Sequence, residues 1–504
     1  RDYLQRGEVV CIFPEGEISR TGALLPFRKG IRRIAENTGV PIVPVHLDRV
    51  WGSLFSFSGG RFLLKWPKRA PYPVTVTFGP PLPAESPPHA IRAAVQDLGT
   101  RAWLERKITG RPLPLSFVRR ARRRPLAAWL LGRARGQLAR GRALVEALAL
   151  ARALHGHWRE HERVALLFPP SMGGALAALA VALSGRTAVW LDPDGDAQRW
   201  TEQAERGGAR VLVTGERWRA GRMLPPVPVA TLEAARRARG VGARAAARTV
   251  AALGFGDALV RACGGRRIVP DGVAAVVFHA GQPVELTHGA LGAQVAGLMQ
   301  VLPFEQGDRV ACTSGLHEAL GQVVLWLCAA RGLALVLPGE PGIGALARAI
   351  VRYAADVLVT EPGLLPRFVA GCRPGQLGSV RTVLSLGVDH DQAAIDAFET
   401  HFGVRPLAGL ARADLGPIVT VGSEGYRAAG FYQVGARRGY VGHPLPGVRV
   451  KAVDPARGDL PPDEEGELWA AGPSLDGPGW RPLGLRGRVD ADGYVGLARA
   501  PRGG

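Results

Sequence analysis

The chain has 504 residues, 64 Lys and Arg against 43 Asp and Glu for a formal net charge of +21, and 47% hydrophobic residues. That length points to about three or four units of ordinary size, with enough apolar material for large cores. The longest apolar stretches, such as residues 175–183, fall short of the roughly 18–20 residues that cross a bilayer, so no transmembrane helix is expected. Five scattered cysteines exclude a zinc pattern or a disulfide framework and fit a reducing cytoplasmic setting.

In chain order, the first element expected is a buried strand at Val9-Val10-Cys11-Ile12, a short β-branched run without alternation. It ends in the turn Phe13-Pro14-Glu15-Gly16-Glu17-Ile18-Ser19-Arg20, which presents a carboxylate, a flexible backbone, a hydroxyl and a guanidinium where open α/β sheets bind ligands. Ile31, Ile34 and Ala35 then fall at helical spacing within 27–37, with Arg28, Lys29, Arg32 and Arg33 on the other face. Residues 40–45 return as an apolar strand, its prolines limiting its share of any ladder. Alone, Pro14-Glu15-Gly16 reads as a plain turn; the βαβ context favours a site.

At these residues the chain resembles the glycerophospholipid acyltransferase family, which carries Phe-Pro-Glu-Gly-Thr-Arg-Ser followed by a Val-Pro-Ile-Val-Pro-Val-like strand. The resemblance implies an acceptor-phosphate site at Phe13, Pro14, Glu15, Gly16, Ser19 and Arg20. Ile18 stands where the family has its arginine, so Arg20 supplies the planar fork that pairs with phosphate oxygens. The family's general base is a His with an Asp five positions on, upstream of the turn. None of the eleven histidines here has that partner; His155 and His157 have Glu there, in an arginine-rich helical setting. With Arg at position 1 and no signal peptide, the expectation is a chain whose N-terminal part, with its catalytic His, has been cut away.

Residues 72–79 read as a closing strand and 91–107 as a last helix before Gly110-Arg111-Pro112-Leu113-Pro114 breaks the pattern. Between Arg101 and Arg142 the only acid is Glu105, and Arg119-Arg120-Ala121-Arg122-Arg123-Arg124 forms a dense cluster. Such a stretch suits anionic lipid headgroups, nucleic-acid phosphates or simply solvated faces. No helix-turn-helix, zinc-finger or RNA-binding signature accompanies it, so nucleic acid is not an expected partner.

Helical spacing over 132–159 leads to strands at 164–168, 187–191 and 211–214, with Ser171 placed to cap a helix over 172–183. This is a doubly wound α/β pattern with a mostly parallel sheet. From here the chain resembles the adenylate-forming superfamily of acyl-CoA and acyl-carrier-protein synthetases. The resemblance rests on Pro169-Pro170-Ser171-Met172-Gly173-Gly174, on residues 314–321 around His317, and on Ser385-Leu386-Gly387-Val388-Asp389. It continues through residues 407–414 to Gly439-Tyr440-Val441-Gly442-His443-Pro444-Leu445-Pro446-Gly447 and Glu465-Gly466-Glu467-Leu468, in the family's order.

Departures accompany the matches. A phosphate-cradling loop ending in Lys is expected near residues 278–288; here about five residues are missing relative to the pattern, the lysine among them, and Glu285 adds negative charge. Asp414 replaces the metal-contacting glutamate, Leu410 its aromatic neighbour, and Leu485 the ribose-binding aspartate. The chain ends near the hinge that precedes the family's lid. ATP and magnesium binding is therefore expected to be lost, leaving Gly281, His317, Asp389, Gly409 and Asp414 as remnants of the adenylate site.

The order of parts is similar to that of bifunctional lysophospholipid acyltransferases and acyl-carrier-protein synthetases. The resemblance implies a partial glycerolipid acyltransferase α/β unit over 1–110, an arginine-rich linker over 111–130, a large adenylate-forming α/β domain over 131–430 and a small β-rich subdomain over 431–504. It further implies acyl transfer to a lysophospholipid, an anionic phospholipid surface and acyl carrier protein as partners, and a place at the cytoplasmic face of the inner membrane. The alternatives are an acyl- or carrier-binding scaffold at the membrane surface without catalysis and, after it, a fatty acid–AMP or acyl-carrier-protein ligase.

Overall fold

The computed structural model describes residues 1–57, 72–132, 136–238, 241–253, 259, 265–428, 430–475 and 479–498. Its first ladder is an antiparallel pair, β1 (Val45–Asp48) and β2 (Thr75–Phe78), with an isolated bridge between Ile42 and Leu82. The expected strand at 9–12 does not form. The run is extended chain outside any ladder, with Val9 99% exposed. A buried strand needs neighbours on both sides, and among the described residues this run has none. The expected helix shortens to Gly30–Ala35, burying Ile31 and Ala35. The last helix of this part, Pro88–Thr109, starts with proline in its first turn and ends at Gly110 before Pro112.

Residues 111–130, expected as a linker, hold a helix, Leu113–Arg123, and the start of β3 (Ala128–Gly132), which pairs with β4 (Gly136–Ala139). The helix is amphipathic. Leu113, Pro114, Phe117, Val118 and Ala121 are buried, while Arg119 and Arg123 face solvent. The helical spacing read from residue 132 begins in fact at Arg140, in the helix Arg140–Trp158.

Two doubly wound sheets follow. One has β5 (Arg163–Leu167), β6 (Thr187–Trp190), β7 (Leu212–Thr214), β8 (Val229–Thr231), β9 (Val273–His279) and β10 (Gln282–Thr287) in the order β10-β9-β6-β5-β7-β8, antiparallel only at β10. The other adds β11 (Arg309–Cys312), β12 (Ala334–Leu337), β13 (Val357–Thr360), β14 (Thr382–Gly387) and β15 (Pro406–Leu410) in the order β15-β14-β13-β11-β12-β3-β4, antiparallel only at β4. β6, β12 and β13 are buried throughout, as strands covered on both faces must be.

The helix Met172–Leu183 contacts β5 and β6 of one sheet and β3 of the other. All its residues but Gly173 are buried, which accounts for a composition that is apolar all round. Its start is the expected cap: Ser171 Oγ accepts from the Gly174 N–H at 3.3 Å.

Short pairs β16 (Thr420–Val421) with β19 (His443–Pro444), and β17 (Tyr426–Ala428) with β18 (Phe431–Gln433), then lead to an antiparallel sheet. That sheet contains β20 (Arg449–Asp454), β21 (Gly458–Asp459), β22 (Gly466–Ala471), β23 (Arg481–Val489) and β24 (Val495–Leu497) in the order β21-β20-β22-β23-β24. The class is α/β with a small β-rich part, as the sequence implies. No helix of the described residues is long and apolar enough to cross a membrane.

Candidate functional site

The Phe-Pro-Glu-Gly segment forms a β-turn, with the Gly16 N–H donating to the Phe13 carbonyl at 3.1 Å. Gly16 has φ +68°, and a Cβ there would overlap the Arg28 side chain. Phe13 is exposed. The Pro14 carbonyl accepts from the Arg28 N–H at 2.8 Å. Glu15 turns inward, and its Oε2 accepts from the Leu25 N–H at 2.7 Å. Burial raises its pKa, opposed by that hydrogen bond and by Arg92. Ser19 Oγ is spent locally, donating to the Ala23 carbonyl at 2.8 Å and accepting from the Gly22 N–H at 3.1 Å.

Arg20 reaches across to the β17–β18 hairpin. Its N–H donates to Gln433 Oε1 at 2.7 Å, and its guanidinium donates to Tyr426 Oη at 3.1 Å and lies over the Tyr426 ring. Gln433 Nε2 in turn donates to Glu17 Oε2 and to the Ile18 carbonyl. The six residues thus come together as one turn. Their polar groups hold that turn to the rest of the chain.

The positions expected as remnants of an adenylate site, His317 apart, lie at the ends of β9, β14 and β15, and Leu485 lies on β23. Where a phosphate loop is expected from the sequence pattern, β9 passes into β10 through a two-residue turn, Ala280-Gly281, with His279 paired to Gln282. Both turn residues have positive φ, +46° and +75°, the geometry of a type I′ hairpin. A phosphate cradle needs a run of backbone N–H groups converging on one point, which two residues do not supply. Glu285, on β10, pairs with Arg163 across the sheet.

Asp414 is held by its near neighbour. Arg412 Nε donates to Oδ1 at 3.0 Å and Nη2 to Oδ2 at 2.6 Å, a bidentate fork. Burial pushes the Asp414 pKa upward, but Arg412, with a contribution from His279, brings it below the usual value. Arg412 Nη1 also donates to the Leu483 carbonyl, tying β15 to β23. Leu485 packs on the main core alongside Ala411, Ala413 and Leu415.

Asp389 is exposed. Beside it, His390 Nε2 donates to the Gly409 carbonyl at 3.0 Å, which fixes the tautomer because a carbonyl only accepts. Gly409 itself is required by close approach: a Cβ would sit 2.6 Å from Leu386 and 2.7 Å from the Thr420 carbonyl.

His317 lies apart from these, in a cavity of about 720 Å³ lined by Pro169, Asp194, Trp218, Ser314, Glu318 and Arg367 among others. Its Nε2 is 3.8 Å from Asp192 Oδ1 and 3.6 Å from Glu318 Oε1, within ion-pair but not hydrogen-bond range. Burial lowers the His317 pKa, partly offset by Asp192 and Asp194. Burial lifts Glu318 to about 7, with Glu361 and Asp192 adding to the shift against a hydrogen bond from the Gly315 N–H. An imidazole beside a carboxyl that keeps its proton to neutral pH is equipped to pass a proton. Among the described residues no cluster of His, Cys, Asp or Glu could hold a metal ion.

Sequence reading missed Glu318, Arg412 and the β17–β18 hairpin. The first two stand inside motifs singled out for His317 and Asp414, so the signal was adjacent. The hairpin carries no signature of its own.

Two doubly wound sheets with a helical layer between them, a small antiparallel sheet and a cleft at strand ends define an adenylate-forming-type α/β protein. The chain belongs to the AMP-binding enzyme family, which it matches over residues 117–476, and its residues 1–48 match the acyltransferase family. VinN has the same fold, with a TM-score of 0.63 at 17% identity over 77% of this chain and 99% of that one. Unliganded O-succinylbenzoate coenzyme A synthetase (MenE) from Bacillus subtilis gives 0.62 at 16% identity over 77% and 79%.

A 4-coumarate–CoA ligase-like protein of Oryza sativa subsp. japonica is 27% identical over 45% of each chain. A 1-acyl-sn-glycerol-3-phosphate acyltransferase of Limnanthes douglasii is 39% identical over 14% of this chain and 23% of its own. The chain thus spans less than half the length of these two curated relatives.

Proposed function

We propose that this chain serves acyl transfer to a lysophospholipid or glycerol-phosphate acceptor, and that its AMP-binding half does not form adenylates. The observation that carries this reading is the two-residue turn at Ala280-Gly281, which takes the place of a phosphate-binding loop. Asp414, with both oxygens on Arg412, and Leu485, packed on apolar side chains, add to it. The residues present do not fit ATP and magnesium.

On this reading the Phe13–Arg20 region serves the acceptor, and the His317–Glu318 cavity takes an acyl or carrier-borne group. The arginine face of helix Leu113–Arg123 meets an anionic membrane, at the cytoplasmic face of the inner membrane. The test is calorimetry with ATP, magnesium and a long-chain fatty acid on the full chain, alongside ATP–pyrophosphate exchange. No binding heat and no exchange from folded protein are expected. Saturable ATP binding with exchange would return the chain to ordinary fatty-acid activation.

A further inference from the structure

A second, smaller cavity of about 260 Å³ lies where the helices Pro88–Thr109, Leu113–Arg123, His288–Val301 and Ala319–Arg331 meet. It plays no part in the sites above. Its lining includes Arg106, Lys107, Arg111, Arg331, His288 and Ser116, and no carboxylate among the described residues. Arg106 is committed to Asp48, to which it donates through Nε at 2.7 Å. Lys107, Arg111 and Arg331 have no acceptor among the described residues. Arg331 Nε and His288 Nδ1 are buried without a hydrogen-bond partner, and His288 is only 5% exposed.

Arg331 is partly buried, and its Nε–H, shut away from water without an acceptor, costs stability. Burial lowers the Arg331 pKa, and the Arg120 charge lowers it further. The helix Leu113–Arg123 also begins at this cavity without a side-chain cap; Pro112 and Pro114 carry no N–H and the Ser116 N–H is spent on the Pro112 carbonyl, so the Leu113 N–H and the helix dipole add to the same positive potential. Gly292 lines the cavity with open space beside it, and Arg111, also in the lining, is exposed, giving a ligand a way in. Planar forks, an ammonium and the positive end of a helix around a headgroup-sized space are the recognition set of a phosphate group.

We infer that this cavity binds a phosphate-bearing anion, held by Arg331, Lys107 and Arg111. The cavity shares no residue with the adenylate-site positions. The test uses the full chain with two probes, inorganic phosphate and vesicles of phosphatidylglycerol compared with phosphatidylcholine, followed by calorimetry and thermal unfolding.

With phosphate, wild type is expected to bind and gain thermal stability. Arg331→Met should unfold at or above the wild-type temperature without phosphate and show no phosphate response. Arg111→Ala, at the exposed rim, should bind about tenfold more weakly, as the loss of one charge-assisted contact implies. Arg217→Ala, which removes an exposed charge outside the cavity lining, should behave as wild type. Binding to phosphatidylglycerol vesicles alone, weakened by the same two cavity variants, would assign the phosphate to a lipid headgroup. The inference is overturned if neither probe binds, or if Arg331→Met and Arg111→Ala bind as Arg217→Ala does.

Discussion

Asp414 and Glu318 show how far local partners decide what a carboxylate does. Asp414 is ionised and locked by a guanidinium two residues away, while Glu318 faces Glu361 and Asp192 and keeps its proton to about pH 7. Folded Glu318 thus binds a proton more tightly than the unfolded chain, whose value is near 4.5, so it lowers stability progressively as pH rises between the two and fully above 7. Glu318→Gln should remove that slope. Its melting temperature should change less than the wild type's between about pH 5 and pH 8, and equal changes would show that Glu318 is not the titrating group. Asp414 was legible as a motif position. Its pairing was not, because Arg412 occupies a position the motif does not specify.

Among the elements, the helix Leu113–Arg123 has a sequence that misleads. Five arginines crowd residues 119–124, yet five buried residues on the other face fix the helix in the core. Phe117 has no exposed surface, and its ring centroid is 4.7 Å from that of Trp129. Phe117→Ala should cost about 3–5 kcal/mol in denaturant unfolding, the range for buried aromatic truncation; a loss under about 1 kcal/mol would mean the helix is only loosely docked.

The helix Met172–Leu183 was legible to the residue because its cap and its apolar run are local signals. Residues 9–12 were not, because whether an apolar run becomes a strand depends on a ladder partner distant in sequence. Of the β3–β4 hairpin, β3 was read mostly as linker and β4 as the start of a helix, since four residues such as Gly136–Ala139 are too short to show either period.

At the scale of the whole molecule, residues 1–110 are fastened to the AMP-binding part at several points. Gln300 Nε2 donates to the Gly22 carbonyl at 2.8 Å, Gln96 Nε2 to the Val448 carbonyl at 3.3 Å, and Arg449 pairs with Asp97. Arg92, 6% exposed, donates to the Leu24 and Leu25 carbonyls while Asp490 and Asp492 stabilise its charge from the other part. Gly447, at φ +89°, lies against Trp103, and a Cβ would come within 2.7 Å of the ring. Gly447→Ala should therefore lower the melting temperature, and the full chain should unfold in one calorimetric transition. Two separate transitions would show that the two parts are energetically independent.

The clasp of Arg20 and Glu17 by Tyr426 and Gln433 makes the two parts accountable to each other. Any ligand that prefers one position of the β17–β18 hairpin does work on the Phe-Pro-Glu-Gly turn. By thermodynamic reciprocity, whatever occupies that turn changes the affinity of the hairpin's side by the same factor.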